Sequence, residues 1–488
     1  MEAIAAVRAT GARSETIDID RFLADPTECF DQSQTRLMGM APETVAALQL
    51  AGLKRRFARF RSALPMLQRL ADSEGIDAIE DLGDVLPLLF DHSTYKSYPA
   101  SLLEKQRFGA LTSWLGKLTT VDLSGVDASN CRSVDQWMQL LRTETPLSIC
   151  HTSGTSGTLS FLPWSKREWR VMTGQFTTLF FRRFGDEAPP LKLPLNVPCV
   201  YPFFRHGGMA HTIVNDYFAE FVAGSEERFH AAYPGRLSAD LLLLAARRRA
   251  AAARGEVDTL KLGPELEARR EEFEAQQRNM PQHIADFSGA VLSRLAGQRI
   301  FMTATSNLLY SMAERGLKEG SRKLFHPSSV IVTGGGGKGM VLPDDWQAPV
   351  KEFFGADRIN LGYGMSEMCA PFASCEYGHY HVNPWIIPFV LDPDTNLQLP
   401  RTGTVTGRFA FYDLMPDTRW GGFITGDEVT LTWEDLPCAC GRTAPYLHRK
   451  IIRLSQKAKH ADGEEKLSCG SAPGAYEEAL DFLNDGAA

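Results

Sequence analysis

Three groups of residues in this sequence have the types and spacing to do chemistry. Thr152, Ser153, Gly154, Thr155, Ser156 and Gly157 stand in one unbroken run. Two glycines let such a backbone bend and turn its N–H and O–H groups toward a single anion. Thr158, not a lysine, follows the last glycine, so the run is not a Walker A loop. Gly362, Tyr363, Gly364, Met365, Ser366 and Glu367 form a second run ending in a carboxylate, and Thr425-Gly426-Asp427 supplies another carboxylate. Cys375, His381, Cys438 and Cys440 make the third group. Three thiols and an imidazole are a set that tetrahedral zinc takes. His379 is an alternative to His381, and four unrelated residues of a small subdomain are the plain alternative to a metal site.

Two further stretches bear on ligands. Phe203, Phe204 and His206 lie in an aromatic run that ends at Gly207-Gly208. Gly334, Gly335, Gly336, Gly337, Lys338 and Gly339 formally match GxGxxG after Val330-Ile331-Val332, with Asp357 18 positions further on. A dinucleotide motif must open directly into a helix. Met340-Val341-Leu342-Pro343 delays the next helix to about Pro343, a residue suited to a first helical position, so a dehydrogenase is not expected.

The elements that must position these groups follow from pattern. The first 145 residues repeat apolar positions at three-to-four spacing, as in the stretch Pro42 to Gly75, and predict helices. From Leu147 the texture turns to short β-rich runs. Residues 146–385 read as an α/β core with a charged helical insert at 237–280, whose Arg247-Arg248-Arg249 is read as a solvated face. Within the core, strand, glycine cluster, helix and strand succeed one another between Ser329 and Leu361, a βαβ order that predicts a parallel sheet. Residues 386–455 read as a small β-subdomain, and 456–488 as a stub.

Composition agrees with a folded α/β protein. The chain has 488 residues, 44% hydrophobic and 23% charged, with a net charge of −7. At roughly 150 residues per domain this allows about three units. The mild acidity argues against nucleic acid as a partner. No apolar stretch reaches the ~20 residues of a membrane span. The N-terminal residues lack a signal-peptide pattern. Cys29, Cys131, Cys150, Cys199 and Cys469 are scattered, as buried thiols of a reduced cytoplasmic protein would be.

Taken in order, the runs Thr152–Gly157, Tyr201–Gly208, Gly334–Gly337, Gly362–Glu367 and Thr425–Asp427 resemble the adenylate-forming superfamily of acyl-CoA synthetases, peptide-synthetase adenylation domains and luciferases. Leu86–Phe90 with Thr94–Pro99, Cys375–Val382 and Cys438–Thr443 are most similar to its phenylacetate–CoA ligase branch. The likeness spans about residues 80–480. It implies ATP-dependent, AMP-forming activation of an aryl or acyl carboxylic acid, then transfer to CoA, an amine or a carrier-protein thiol. By this resemblance Thr152, Ser153, Gly154, Thr155, Ser156 and Gly157 hold the β- and γ-phosphates. Gly335 and Gly336 lie by the adenine or substrate, and Tyr363, with Gly364 and Met365, stacks on the adenine. Ser366 contacts phosphate, Glu367 holds Mg²⁺, Asp427 takes the ribose hydroxyls and Arg453 lies at the hinge. Phe203, Phe204, His206 and Gly362 wall the acyl pocket. Cys375, His381, Cys438 and Cys440 recur in the branch and imply a structural zinc.

Three departures qualify the resemblance. Thr158 stands where the family carries lysine, and Lys166 is no evident substitute. Gly422-Phe423-Ile424-Thr425-Gly426-Asp427 replaces the usual arginine-rich motif, with Arg419 only nearby. Only 32 residues follow Gln456, so a truncated C-terminal domain without its catalytic lysine is expected. A non-catalytic nucleotide-binding relative is the alternative from another class. The sequence leaves the oligomeric state open, a homodimer included, and does not name the acid.

Overall fold

The computed structural model describes residues 17–454 apart from residue 92, 153–157, 335–341 and most of 255–285. The expectations placed on Ser153, Gly154, Thr155, Ser156, Gly157, Gly335 and Gly336, on the second half of the helical insert, and on the stub from 456 therefore fall outside the described residues.

Among the described residues fifteen strands form three sheets in an α/β architecture. A two-stranded hairpin joins β2 (Cys150–His151) and β3 (Phe161–Leu162). A six-stranded sheet has the order β5 (Phe229–Leu237), β4 (Cys199–Gly207), β6 (Phe301–Thr303), β7 (Val330–Gly334), β8 (Ile359–Tyr363) and β9 (Phe372–Ala373). Its pairs are parallel except the antiparallel edge β8–β9. The expected βαβ order is present: α6 (Gln347–Phe354) crosses between β7 and β8. It starts later than Pro343, because residues 344–346 form a turn first.

The second sheet has seven strands. Its path is β10 (Tyr380–His381), β14 (Tyr446–Leu447), β13 (Gly422–Thr432), β12 (Thr404–Asp413) and β11 (Ile386–Leu391). Two short strands, β1 (Phe90–Asp91) and β15 (Ile452–Arg453), also pair with β13. Strand β13 alternates strictly along its middle: Thr425, Asp427, Val429 and Leu431 are buried while Ile424, Gly426, Glu428 and Thr430 are less so. Period-two alternation therefore carries Asp427 inward with the apolar residues that hold the sheet to its core.

Helices named below are α1 (Ile19–Ala24), α2 (Pro42–Ala63), α3 (Val134–Glu144), α4 (Lys166–Phe181) and α5 (Ala239–Arg254), besides α6. The long helix α2 lies on the second sheet. Phe57 and Phe60 meet Trp420 edge-on at 6.3 and 5.9 Å, and Gln49 donates to the carbonyls of Pro384 and Ile386. One apolar cluster thus runs from the N-terminal helices into β11–β13. Helix α4 opens with a capping box: Ser165 accepts from the Glu168 N–H, and the Glu168 carboxylate accepts from the Ser165 N–H. No helix among the described residues is long and apolar enough to cross a membrane.

Candidate active site and metal centre

In open parallel sheets ligands bind beyond the carboxyl ends of the strands. Here those ends carry His206 and Gly207 on β4, Gly334 on β7 and Gly362-Tyr363 on β8. Gly334 and Gly362 face each other in register, and a Cβ on Gly334 would stand 2.6 Å from the Gly362 carbonyl oxygen. The glycine is required by that close approach.

Tyr363 links the two sheets. Its hydroxyl donates to Asp427 Oδ2 at 2.8 Å, across 64 positions of sequence. Asp427 Oδ1 lies 3.0 Å from Arg453 Nε, and the two residues are register partners of β13 and β15. The Asp427 side chain is 5% exposed and that of Arg453 40%, so the carboxylate is sheltered and held from two sides. A carboxylate offers about four lone-pair sites, so both oxygens keep capacity for further donors.

The segment after Tyr363 runs back against the hairpin. The Ser366 carbonyl accepts from Trp164 Nε1 at 2.9 Å. Ser366 also hydrogen-bonds through its side chain to Cys150 on β2; burial, followed by the nearby Glu367 carboxylate, pushes that thiol up to about 12. Glu367 is half-buried, burial raises its pKa, and it forms no ion pair among the described residues. Arg453 and Arg419 oppose that rise and Asp427 adds to it, so this carboxylate sits between two cations and a second acid. Met365 packs on the main apolar cluster, and Gly364 is exposed beside Pro371.

Thr152 closes the hairpin. Its Oγ1 accepts from the Ser160 N–H at 3.1 Å and its own N–H donates to the Ser160 carbonyl. His151 donates its N–H to the Gly208 carbonyl. A Cβ on Gly208 would come within 2.6 Å of the His151 ring, which accounts for glycine there.

The aromatic stretch divides. Phe204 is 1% exposed and packs 4.8 Å from Tyr233, which places it in the core beneath the site. Phe203 is partly exposed and lies 5.4 Å from the His211 ring. His206 Nδ1 stands 3.4 Å from Asp216 Oδ1. Burial works against ionisation of Asp216, but the bond from His206 and the charges of Arg205 and Arg142 outweigh it and hold the carboxyl at about 2.

Two departures have structural explanations. Lys166 Nζ donates to the Thr145 carbonyl at 2.9 Å, which occupies the lysine nearest the loop in sequence. Arg419 is buried, 2.8 Å from Glu168 Oε2, with its guanidinium 4.0 Å above the Trp164 ring. Burial opposes its charge, yet the Glu168 carboxylate wins and holds its pKa above the usual range. Arg419 also reaches the Glu367 carbonyl at 3.5 Å and Cys369 Sγ at 3.6 Å. Glu168 was not among the sequence-derived candidates. The capping box Ser165-x-x-Glu168 was its one visible signal, and that pattern speaks only of a helix start.

The four soft ligands converge. The Sγ atoms of Cys375, Cys438 and Cys440 and a ring nitrogen of His381 all lie within 4.8 Å of one another. Cys375 and Cys438 are 4.0 Å apart through sulfur, and His381 Nε2 is 3.2 Å from Cys440 Sγ. Each of Cys375 and Cys438 starts a turn whose carbonyl accepts from a glycine three residues on, Gly378 and Gly441, both in the left-handed region. The His381 Nδ1 faces the Ala444 carbonyl at 3.3 Å, which turns Nε2 toward the thiols. His379 stacks on Tyr446 at 4.3 Å and touches Cys438 from the rim. Burial pushes the Cys438 thiol up to about 12 and the His381 imidazole down to about 3.

No protein-family model matches the chain. No curated protein matches it either. Among solved structures, it is similar to 2-hydroxyisobutyryl-CoA ligase in complex with 2-HIB-AMP and CoA in the thioesterification state, at 14% identity and TM-score 0.49, over 85% of this chain and 69% of that one. ATP-bound MatB from Rhodopseudomonas palustris aligns at 13% identity and TM-score 0.34, over 65% and 53% of the two chains. The luciferase-like enzyme from the nonluminescent Zophobas morio mealworm aligns at 13% and 0.33, over 63% and 57%.

Proposed function

We propose that this chain is an adenylate-forming acid ligase, which activates a carboxylic acid with ATP and passes the acyl group to CoA. The observation that carries the reading is the Tyr363–Asp427–Arg453 cluster at the carboxyl end of β8, with Ser366 and Glu367 folded back against the β2–β3 hairpin. Tyr363, Asp427 and Arg453 support the reading because they stand far apart in sequence and meet there.

In this reading the Asp427 carboxylate accepts from the ribose hydroxyls of ATP while Tyr363 and Arg453 hold it in place. The Tyr363 ring lies against the adenine. The hydroxyl-rich loop anchored by Thr152 receives the β- and γ-phosphates, helped by Ser366. A substrate carboxylate oxygen attacks the α-phosphorus, the bond to pyrophosphate breaks, and an acyl-adenylate results. The CoA thiol then attacks the acyl carbon and AMP leaves. Positioning and charge neutralisation are most of what such a transfer requires of a protein. The acyl group lies toward Phe203 and His206; Phe204 shapes that wall from behind.

Glu367 fits a magnesium ligand: it is a half-buried carboxylate without an ion-pair partner among the described residues, next to Ser366 in the chain. Mg²⁺ prefers oxygen ligands and, when bound, neutralises charge developing on the phosphates. The Cys375–His381–Cys438–Cys440 cluster fits structural zinc. Zinc–sulfur bonds of about 2.3 Å put tetrahedral ligand atoms roughly 3.8 Å apart, close to the spacings here. Such an ion would clip the loop before β10 to the loop before β14.

ATP–pyrophosphate exchange with a panel of aryl and aliphatic acids tests the reading. Exchange dependent on one acid class, lost in Asp427→Asn, is the expected result. Absence of exchange with every acid, together with no ATP binding, would transfer the site to a non-catalytic nucleotide-binding protein.

A further inference from the structure

Helix α2 carries Lys54, Arg55, Arg56, Arg59 and Arg61 within two turns. Three of these cations meet carboxylates: Lys54 lies 3.1 Å from Glu80, Arg55 2.6 Å from Asp20 and Arg61 2.5 Å from Asp72. The other two do not. Arg56 is only 7% exposed, yet among the described residues its guanidinium donates only to the carbonyls of Leu414, Leu23 and Met415. Arg59 is exposed and donates to the Asp417 carbonyl at 3.1 Å. Neither has a carboxylate at ion-pair distance among the described residues.

A pocket of 420 Å³ opens where these two arginines point, between α1, α2 and the start of α4. Its charged lining is Arg55, Arg56, Arg59 and Arg167 against Asp20 and Asp417. Both aspartates are already engaged, Asp20 by Arg55 and Asp417 by Arg167 at 2.6 Å. Two positive charges are left over. The Asp417 and Glu168 carboxylates act on Arg56 only from beyond ion-pair distance, and a buried cation without a contacting counter-charge is costly, carbonyl dipoles offsetting only part of that cost. Guanidinium forks match the oxygens of phosphate, to which they donate in pairs. The volume lies within the ~300–1,000 Å³ of small-molecule sites.

We propose that this pocket is a binding site for a phosphate dianion, either free phosphate or the phosphomonoester group of a larger molecule. It stands on the charge imbalance and geometry around α2 and does not depend on the acid-ligase reading. A chain of hydrogen bonds leads from it toward the candidate active site. Asp417, which lines the pocket, donates its N–H to Glu168 Oε1 at 2.7 Å, and Glu168 holds Arg419, which reaches the Glu367 carbonyl.

Titration calorimetry on the full chain tests this, with inorganic phosphate in one arm and adenosine 3′,5′-bisphosphate in the other. Binding in at least one arm is expected, weakened at least about tenfold in Arg59→Gln and abolished in Arg59→Glu. Both substitutions are at an exposed position, and unchanged thermal melting without phosphate reports that the fold is intact. The arm whose binding is lost in Arg59→Glu tells free phosphate from a phosphomonoester. No binding in either arm up to about 10 mM, or equal affinity in the parent and both variants, overturns the proposal.

Discussion

Replacing Glu168 by glutamine changes one atom of the side chain and should cost this protein about 3–5 kcal/mol of stability. The Glu168 carboxylate is fully buried and accepts four N–H hydrogen bonds, with the Thr418 hydroxyl, shared with the Pro163 carbonyl at 2.9 Å, as a fifth contact. Oε1 takes the Asp417 N–H, the Thr418 N–H and the Thr418 hydroxyl at 2.7, 3.1 and 3.1 Å. Oε2 takes the Ser165 N–H and Arg419 Nη1, both at 2.8 Å. A glutamine must aim its NH₂ at one of these two donor groups, so donor faces donor whichever way the amide turns. The Arg419 charge, 1% exposed, also loses its counter-ion. Leaving one member of a buried pair uncompensated has the cost given above, whereas removing both members is often close to neutral. Equilibrium urea unfolding followed by tryptophan fluorescence suits the measurement. Trp164 stacks on Trp169 at 4.1 Å and carries Arg419 over its face. The double variant Glu168→Gln/Arg419→Met should fall short of the summed single losses by at least about 2 kcal/mol, the coupling expected of contacting residues. A loss below about 1 kcal/mol in Glu168→Gln, or strict additivity in the cycle, would refute the reasoning.

Three further outcomes are expected. Glu367→Ala should lower acid-dependent ATP–pyrophosphate exchange by at least ~10²-fold, the scale of a group that stabilises developing charge; an unchanged rate removes it from the reaction. Purified protein should retain close to one zinc per chain after mild chelation, and Cys440→Ser should lose most of it, because structural zinc is bound tightly and its binding energy is folding energy. Metal analysis that finds the parent empty rejects the assignment. Asp216 supplies a pH test. Its folded pKa, about 2, lies below the usual 3.8, so its stabilising contribution is present above pH ~4 and is lost as pH falls toward 2. Acid unfolding of Asp216→Asn should therefore be flatter over that window, and a profile parallel to the parent's contradicts the ion-pair account.

Much of this was readable before any coordinates. Hydrophobic alternation marks β13 and puts Asp427 on the same face as Val429 and Leu431, since side chains of a strand alternate with period two. The Ser165-x-x-Glu168 box announces the start of α4. The order of the glycine and hydroxyl runs carries the resemblance to adenylate-forming enzymes, and the types of Cys375, His381, Cys438 and Cys440 match a zinc ligand set. These are local or compositional properties, carried by neighbours in the chain.

The tertiary structure decided which of those groups share a space and which of them water can reach. Tyr363 meets Asp427 only because the carboxyl end of β8 lies beside the middle of β13, a strand of the other sheet. Phe203 and Phe204 are adjacent and of one type, yet one is partly exposed beside His211 and the other is core, packed on Tyr233. His381, turned by the carbonyl of Ala444, joins the three thiols in one mutually close set, while His379 meets Cys438 from the rim. Arg419 reads as a free cation near a nucleotide motif until Glu168, 251 positions away, is found against it. Whether a charge is spent on a partner or kept for a ligand depends on desolvation by residues distant in sequence. Spacing along a chain does not encode that, and packing does.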